Sequence, residues 1–198
     1  GGGASADIEW TVGMGLPDGM AAYISVAPQA DGSKNTNKAY SGVNSTTDGY
    51  AWDVVVTHNA LSEGVNFFAG YSDISQNSTI GDRSEATAGF TYAIGGVTVG
   101  YQHTTDSNPA AHSIIDSYDN DAYAVSFNVN DNLSVSYGVH KSTQEKNGLA
   151  NVDLETKSAQ IAYTLGGAAI KIAETDVENK AYGTSDVNGT LIGVTLAF

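Results

Sequence analysis

The sequence contains no cysteine and few basic residues, and each deficit excludes a class of protein. Without cysteine, neither a disulfide framework nor a thiolate-bound metal can hold the fold, and thiol redox chemistry is excluded. Only 8 lysines and arginines stand against 22 aspartates and glutamates, which gives a net charge of -14. Proteins that bind nucleic acid need clustered basic residues to meet the phosphates. The composition therefore excludes a nucleic-acid partner.

Long apolar runs are also missing from the sequence. No stretch approaches the roughly 18 apolar residues of a membrane-spanning helix, and the mean hydropathy is slightly negative. A membrane barrel stays compatible with this, because its strands alternate apolar and polar positions. The chain has 3 prolines but 23 glycines and 11 tyrosines, a composition that favours strands joined by turns.

Apolar residues alternate with polar ones in about eleven segments, and this period of two predicts β-strands. Each segment can cross a bilayer when tilted. We therefore predict one all-β domain over residues 1–198. The segments are 8–12, 20–26, 50–56, 65–71, 88–94, 97–101, 123–129, 133–139, 159–165, 168–172 and 192–198.

The connections between these segments alternate between short and long. The short ones carry tight-turn residues and lie at 16–19, 59–64, 95–96, 130–132 and 166–167. The long ones, which are expected to hold most of the charge, are 29–47, 74–83, 104–120, 142–153 and 175–187. Short periplasmic turns and long outer loops are typical of outer-membrane barrels. The pattern predicts an antiparallel transmembrane β-barrel.

The positions between the apolar ones are mostly small and neutral, which suits a wetted lumen. Alternation places serine, threonine, glycine and a few larger polar residues there, and we predict that the channel is lined by Glu9, Asp53, Gln102, Asn128, Gln160 and Lys171. Since carboxylates concentrate cations in a narrow path, we expect a cation preference. The alternative is an antiparallel sandwich with a serine- and threonine-rich outer face, which would be a soluble or surface-displayed binding or structural protein.

Aromatic residues such as Trp10, Trp52, Tyr101 and Tyr123 are expected near strand ends or turns, where rings suit the interface of a bilayer. Aromatics are also common in strands of any kind, so this feature alone does not separate the alternatives.

The last predicted strand, residues 190–198, resembles the C-terminal signature of outer-membrane barrels. Its terminal aromatic Phe198 is in register with Leu196 and Val194, and the resemblance implies that these residues form the signal read by the assembly machinery. Together with residues 86–101, this strand makes the chain similar to the general porins of Gram-negative bacteria, most like those of alphaproteobacteria.

Resemblance to the porins implies a sixteen-stranded barrel in the bacterial outer membrane, in contact with lipid and lipopolysaccharide and usually homotrimeric. It implies a water-filled channel through which ions and small hydrophilic solutes diffuse. In the family, the third long loop folds inward between the fifth and sixth strands. Since an odd number of strands cannot close a conventional barrel, we expect this chain to be the C-terminal part, beginning just after that loop. No constriction residue of the family can be assigned here.

Motifs of the common hydrolases and phosphate-binding enzymes are not found in the sequence, and we expect no enzyme and no cofactor. The four histidines are isolated from one another in sequence, at His58, His103, His112 and His140. Their expected role is that of interface or rim side chains, and a serine-histidine hydrolase built on a barrel is the alternative.

Three aspartates close together in sequence offer oxygen ligands for Ca²⁺ in a predicted outer loop. They are Asp116, Asp119 and Asp121. The spacing and the bidentate glutamate of a dedicated calcium loop are missing. Solvated surface charge is the alternative role.

Overall fold

The computed structural model describes residues 8–12, 15–27, 50–74, 82–107 and 114–196. These residues form one antiparallel sheet of eleven strands, in which each strand pairs with its neighbours in chain order. The predicted all-β fold class and the number of strands are therefore confirmed. The strands are β1 Ile8–Val12, β2 Met20–Ala27, β3 Ala51–His58, β4 Val65–Ile74, β5 Arg83–Ile94, β6 Val97–Ser107, β7 Ile115–Asn130, β8 Leu133–Lys146, β9 Val152–Leu165, β10 Ala168–Glu178 and β11 Val187–Leu196.

Helical structure in the described ranges amounts to a short 3₁₀ helix at Lys180–Tyr182, between β10 and β11. None of the helices found there is long and apolar enough to cross a membrane.

The short connections fold as the turns that their residues predict. Two residues join β5 to β6, β7 to β8 and β9 to β10. In the β7–β8 turn, the Asn130 side-chain oxygen accepts hydrogen bonds from the backbone N–H groups of Asn132 and Leu133. Before β4, Gly64 has a φ of 76°, and a Cβ there would lie 2.1 Å from the Ala93 carbonyl oxygen. Only glycine fits that turn without strain.

The register of the strands gives the sheet two chemically different faces. The apolar face carries rows of bulky side chains, such as Val99 beside Val125 and Val125 beside Tyr137. The polar face is its reverse, where Ser126 lies between Thr98 and Ser136. The predicted alternation of apolar and polar residues along each strand thus places the two kinds of residue on opposite faces of the sheet.

The apolar face is not covered by a second layer of the described chain. Val125, Phe127 and Ile161 are each 42% exposed, and the buried hydrophobic residues of the described ranges are few: Ala22, Ile74, Val139 and Ala173. A sandwich would bury one face of each sheet against the other. The sandwich alternative is therefore not supported by the single sheet of these residues.

Three of the long connections are shorter than predicted, because the strands continue into them. β6 extends to Ser107 and β7 begins at Ile115, so most of 104–120 is strand. β8 likewise extends to Lys146 and β10 to Glu178. Many of the charged residues that were expected in these three loops therefore lie on strands, and that expectation was wrong. The antiparallel ladder continues where the apolar alternation stops, since threonine and tyrosine still favour strand structure.

The longer strands also change where the aromatic residues lie. Tyr101 and Tyr123 are paired in the middle of β6 and β7 instead of near their ends. On the apolar face they separate Val99 and Val125 from the polar residues His103 and Asp121. These two tyrosines therefore mark the border of the apolar part of that face.

The sheet is open at two edges in the part of the chain that the structure describes. There β1 pairs with β2 alone and β11 with β10 alone. Val194 and Leu196 lie on β11, the second of these edge strands. The predictions made for Phe198, for His112 and for the connection at 29–47 fall outside the described residues.

Candidate functional site

All of the residues predicted to line a channel lie on the polar face of the sheet. Their register partners are small or polar residues of that face: Ser25 pairs with Glu9 and Asp53, Ser134 with Asn128, and Ser136 with Gln160. Gln102 lies beside Gly89, and Lys171 lies beside Ala162 and Gly193. Their role as channel lining stays a prediction at this point.

Gln102 is fixed in a small hydrogen-bonded group on the polar face. Its side-chain nitrogen donates to the Thr87 hydroxyl oxygen at 3.2 Å and to the Thr104 hydroxyl oxygen at 3.1 Å. The two hydroxyls are themselves 3.0 Å apart. This part of the polar face is therefore an ordered, hydrogen-bonding surface with little bulk.

The carboxylates of the polar face lie in one row that crosses six strands. Each residue in the row is the register partner of the next, from β1 to β6: Glu9, Ser25, Asp53, Ser72, Glu85 and Asp106. We call the four carboxylates of this set the acidic row. Asp53 and Glu85 are two strands apart, or about 10 Å, and both line a groove of about 310 Å³.

One basic residue lies at the β5–β6 end of the acidic row. The Arg83 guanidinium donates to both carboxylate oxygens of Asp106, at 2.9 and 2.7 Å, and lies 2.6 Å from a Glu85 oxygen. Bidentate pairs of this kind are geometrically specific and strong. Since one arginine faces four carboxylates, the row keeps a negative charge.

The sequence pattern did not predict that Glu85, Asp106 and Arg83 belong to this site. Asp106 was assigned to a loop, although the alternation through Gln102 and Thr104 leads directly to it. Likewise, the alternation through Thr87 leads to Glu85 and Arg83. The signal was present but lay beyond the point where the apolar half of the pattern ended.

The segment 179–186, between β10 and β11, folds over the polar face, and we call it the inward loop. The Tyr182 hydroxyl lies 2.6 Å from the Ser142 hydroxyl oxygen on β8. The Tyr182 ring also packs on Tyr118 of β7, with ring centroids 5.2 Å apart. As β8 is two strands away from β10, the loop crosses about 10 Å of the sheet.

The polar residues beneath the inward loop are among the most buried of the described chain. Ser142 is 1% exposed and Gln144 is 7% exposed. The Ser142 hydroxyl donates to the side-chain oxygen of Asn120, so the Tyr182 hydroxyl is the donor to Ser142. The Gln144 side-chain nitrogen in turn donates to the Tyr118 hydroxyl at 2.9 Å. Each buried polar side chain thus has a partner, as stability requires.

The backbone of the inward loop is strained. Asn179, Ala181 and Tyr182 have φ values of 53°, 55° and 56°, a region that costs other residues than glycine about 1 kcal/mol or more each. Such a conformation persists when the surroundings hold it. Here the Asn179 backbone N–H donates to the Asp186 side chain at 2.9 Å. The side-chain amide of Asn179 donates to the backbone carbonyl of Asp153 at 2.8 Å.

The far end of the apolar face, beyond Tyr101 and Tyr123, carries a belt of charged residues. On β8 to β10, Lys141 and Lys157 both contact Glu155, and Lys157 is 3.1 Å from Glu178. These pairs are partly exposed and contribute little to stability individually. They provide a polar surface next to the apolar part of the same face.

The three aspartates proposed as calcium ligands are not brought together as a set. Asp119 and Asp121 lie on the charged belt beside His103, whose Nδ1 is 3.5 and 3.1 Å from their oxygens. Their ligand atoms all lie within 4.8 Å of one another. Asp116 instead accepts a hydrogen bond from the Asn147 side chain at 3.3 Å. Calcium binding by these residues therefore stays a prediction.

The other histidines described lie apart from this cluster. His58 is at the end of β3, where its Nδ1 accepts the backbone N–H of Ala60 at 3.2 Å. His140 is on the polar face of β8, beside Ala122 and Thr156. Neither has a serine hydroxyl within hydrogen-bonding distance among the contacts found in the described ranges, so these two positions give no support to the hydrolase alternative.

The chain is similar to known proteins in structure but not in sequence. No protein-family model matches the chain, and no curated protein matches its sequence. By structure, the chain is similar to OmpT, an outer membrane protein of Vibrio cholerae folded in vitro, with a TM-score of 0.66 over 96% of this chain and 13% identity. It is also similar to a porin refined at 1.8 Å, with a TM-score of 0.64 over 96% of this chain and 15% identity.

The chain spans only part of each of these proteins, 63% of the first and 60% of the second. At such low identity the similarity establishes the fold and not the activity. The eleven antiparallel strands of this chain have the fold found in outer-membrane β-barrel proteins.

Proposed function

We propose that the protein is an outer-membrane porin that forms a water-filled channel for passive diffusion of small hydrophilic solutes and ions. One observation carries the proposal: a single sheet has bulky exposed apolar residues on one face and small polar residues on the other. In a barrel, one face of the sheet meets the lipid and the other meets the interior. The small side chains of the polar face leave room for water and solute.

Closure of the barrel is part of the proposal. In lipid, unpaired backbone groups at a sheet edge cost several kcal/mol each, so the open edges of β1 and β11 must be paired in the membrane. We propose that further strands close the sheet into a sixteen-stranded barrel of the general porin type, which resembles the alphaproteobacterial members. The compared proteins are longer than this chain, which spans about three fifths of each, and that length leaves room for further strands.

The surroundings of the barrel follow from its outer surface. We propose that the apolar face contacts outer-membrane lipid, with the border at Tyr101 and Tyr123 at the level of the headgroups. The charged belt would then meet the sugars and phosphates of lipopolysaccharide. The homotrimer and the assembly role of Phe198, with Leu196 and Val194, remain predictions from the resemblance to porins.

Transport through the proposed channel is passive and not enzymatic, and it favours cations. The acidic row supports the cation preference, because its carboxylates lie on the face assigned to the lumen and outnumber its single arginine. A charged wall of low dielectric constant concentrates ions of opposite sign. Lys171, on β10 of the same face, opposes this preference.

Electrical recording from the full-length protein in planar lipid bilayers tests the proposed function. Addition of the detergent-solubilised protein should produce stepwise increases in current, each of which reports the insertion of one channel. Protein that has been boiled before addition is the control and should give no steps. The absence of steps from folded, unboiled protein at the same concentration would contradict the proposal.

A further inference from the structure

We propose that the inward loop, residues 179–186, narrows the channel and that Tyr182 sets the width of the opening along β7 to β9. This inference rests on the proposed function and adds a size-determining residue to it. The porin resemblance assigns constriction to a different loop, the third long loop of the barrel.

Three independent contacts hold the loop against the polar face. The Tyr182 hydroxyl donates to Ser142 on β8, and its ring packs on Tyr118 of β7. The side-chain amide of Asn179 donates to the backbone carbonyl of Asp153 at the start of β9. A loop that pointed away from the barrel would make neither of the Tyr182 contacts, because Ser142 and Tyr118 lie on the face assigned to the lumen.

Burial and strain support the same interpretation. Ser142 is 1% exposed although the sheet around it is open on that face, which requires a cover, and Tyr182 makes contact with it. The positive φ values of Ala181 and Tyr182 turn the chain back over the sheet. Strained positions of this kind are retained where the surrounding contacts determine them and are concentrated at functional sites.

The position of the Tyr182 ring limits the size of the solutes that pass through the channel. A phenol ring that lies over β7 and β8 removes space from the lumen next to the wall. The ring is uncharged, so its removal changes the size limit of the channel more than its ion preference. The acidic row, on β1 to β6, lies on another part of the wall, and the two features therefore act on different properties of the permeating solute.

The experiment compares the full-length wild type with Tyr182→Ala and with Thr184→Ala, an exposed residue of the same loop, as the matched control. Single-channel conductance and the uptake of neutral sugars of increasing size by proteoliposomes are measured. The conductance of Tyr182→Ala, divided by that of the wild type, should be above one. Its rate of sugar uptake, divided by that of the wild type, should increase with the size of the sugar. For Thr184→Ala, both ratios should be one. A ratio of one or less for Tyr182→Ala would overturn the inference.

A second readout does not depend on transport. Trypsin cleaves after lysine, and Lys180 lies within the inward loop, so cleavage there, detected by mass spectrometry, reports release of the loop from the wall. Tyr182→Phe keeps the ring and loses only the hydrogen bond to Ser142, and it should be cleaved faster than wild type. Equal cleavage rates would overturn the inference. If the wild type forms no channel but Tyr182→Phe is cleaved faster, the proposed function fails while the placement of the loop stands.

Discussion

Replacement of Val125 by lysine should destabilise the folded protein in a lipid bilayer by about 2 to 4 kcal/mol. Val125 lies in the middle of the apolar face, between Val99 on β6 and Tyr137 on β8. In the proposed orientation its side chain points to lipid, and an ammonium group there must lose its hydration or drag water into the hydrocarbon. Reversible urea unfolding of the reconstituted protein, followed by tryptophan fluorescence, measures the change.

The next residue along the chain provides the control for this variant. Ser126 has the same backbone environment but lies on the polar face, between Thr98 and Ser136. Because that face is assigned to water, Ser126→Lys should be tolerated. Equal losses of stability at positions 125 and 126 would contradict the assignment of the two faces.

Neutralisation of two carboxylates of the acidic row should reduce the cation preference of the channel. In the double variant Glu9→Gln, Asp53→Asn, both side chains keep their size and lose their charge, so the local concentration of cations falls. The reversal potential under a salt gradient should move toward zero. Lys171→Gln, which removes a positive charge from the same face, should move it in the opposite direction.

Position and ionic strength distinguish this effect from a general loss of negative charge. Asp176→Asn on the charged belt removes a carboxylate from the other face and should leave the reversal potential nearly unchanged. Salt screens charges over about 10 Å at 0.1 M, so the differences between variants should shrink as the salt concentration rises. Anion preference of the wild type, or an equal shift from Asp176→Asn, would refute the role of the acidic row.

Sequence alone was sufficient to predict the strands and their two faces. The period of two in segments such as 123–129 is a direct record of which side chains share a face, and the glycine and asparagine residues at 95–96 and 130–132 mark the turns. These features are local, so one strand at a time is enough to identify them.

The acidic row could not be predicted because it depends on relations between strands. Alternation shows that Asp53 and Glu85 are on the polar face of their own strands, but only the register places them on one line across the sheet. The strand ends were misjudged for a related reason. Beyond Tyr123, β7 continues through residues such as Asp121 and Asp119, where both faces are polar and the hydrophobic signal is lost.

The inward loop is also beyond sequence reasoning. Its direction depends on positive φ values at Asn179, Ala181 and Tyr182, and no glycine stands at these positions to indicate them. The contact of Tyr182 with Ser142 joins residues 40 positions apart in the chain. Neither residue is unusual in composition, and only the folded sheet brings them together.

The most direct test of the central claim is a cysteine scan of β7 from 122 to 129 in the full-length protein, reconstituted in lipid. The 198 residues of the sequence contain no native cysteine that would interfere. A water-soluble, membrane-impermeant maleimide should label the even-numbered positions, including Ser126, and leave the odd-numbered positions, including Val125, unlabelled. That alternation is the result expected if the polar face borders water and the apolar face borders lipid. Equal labelling of both sets, or labelling of the odd-numbered set alone, would contradict it.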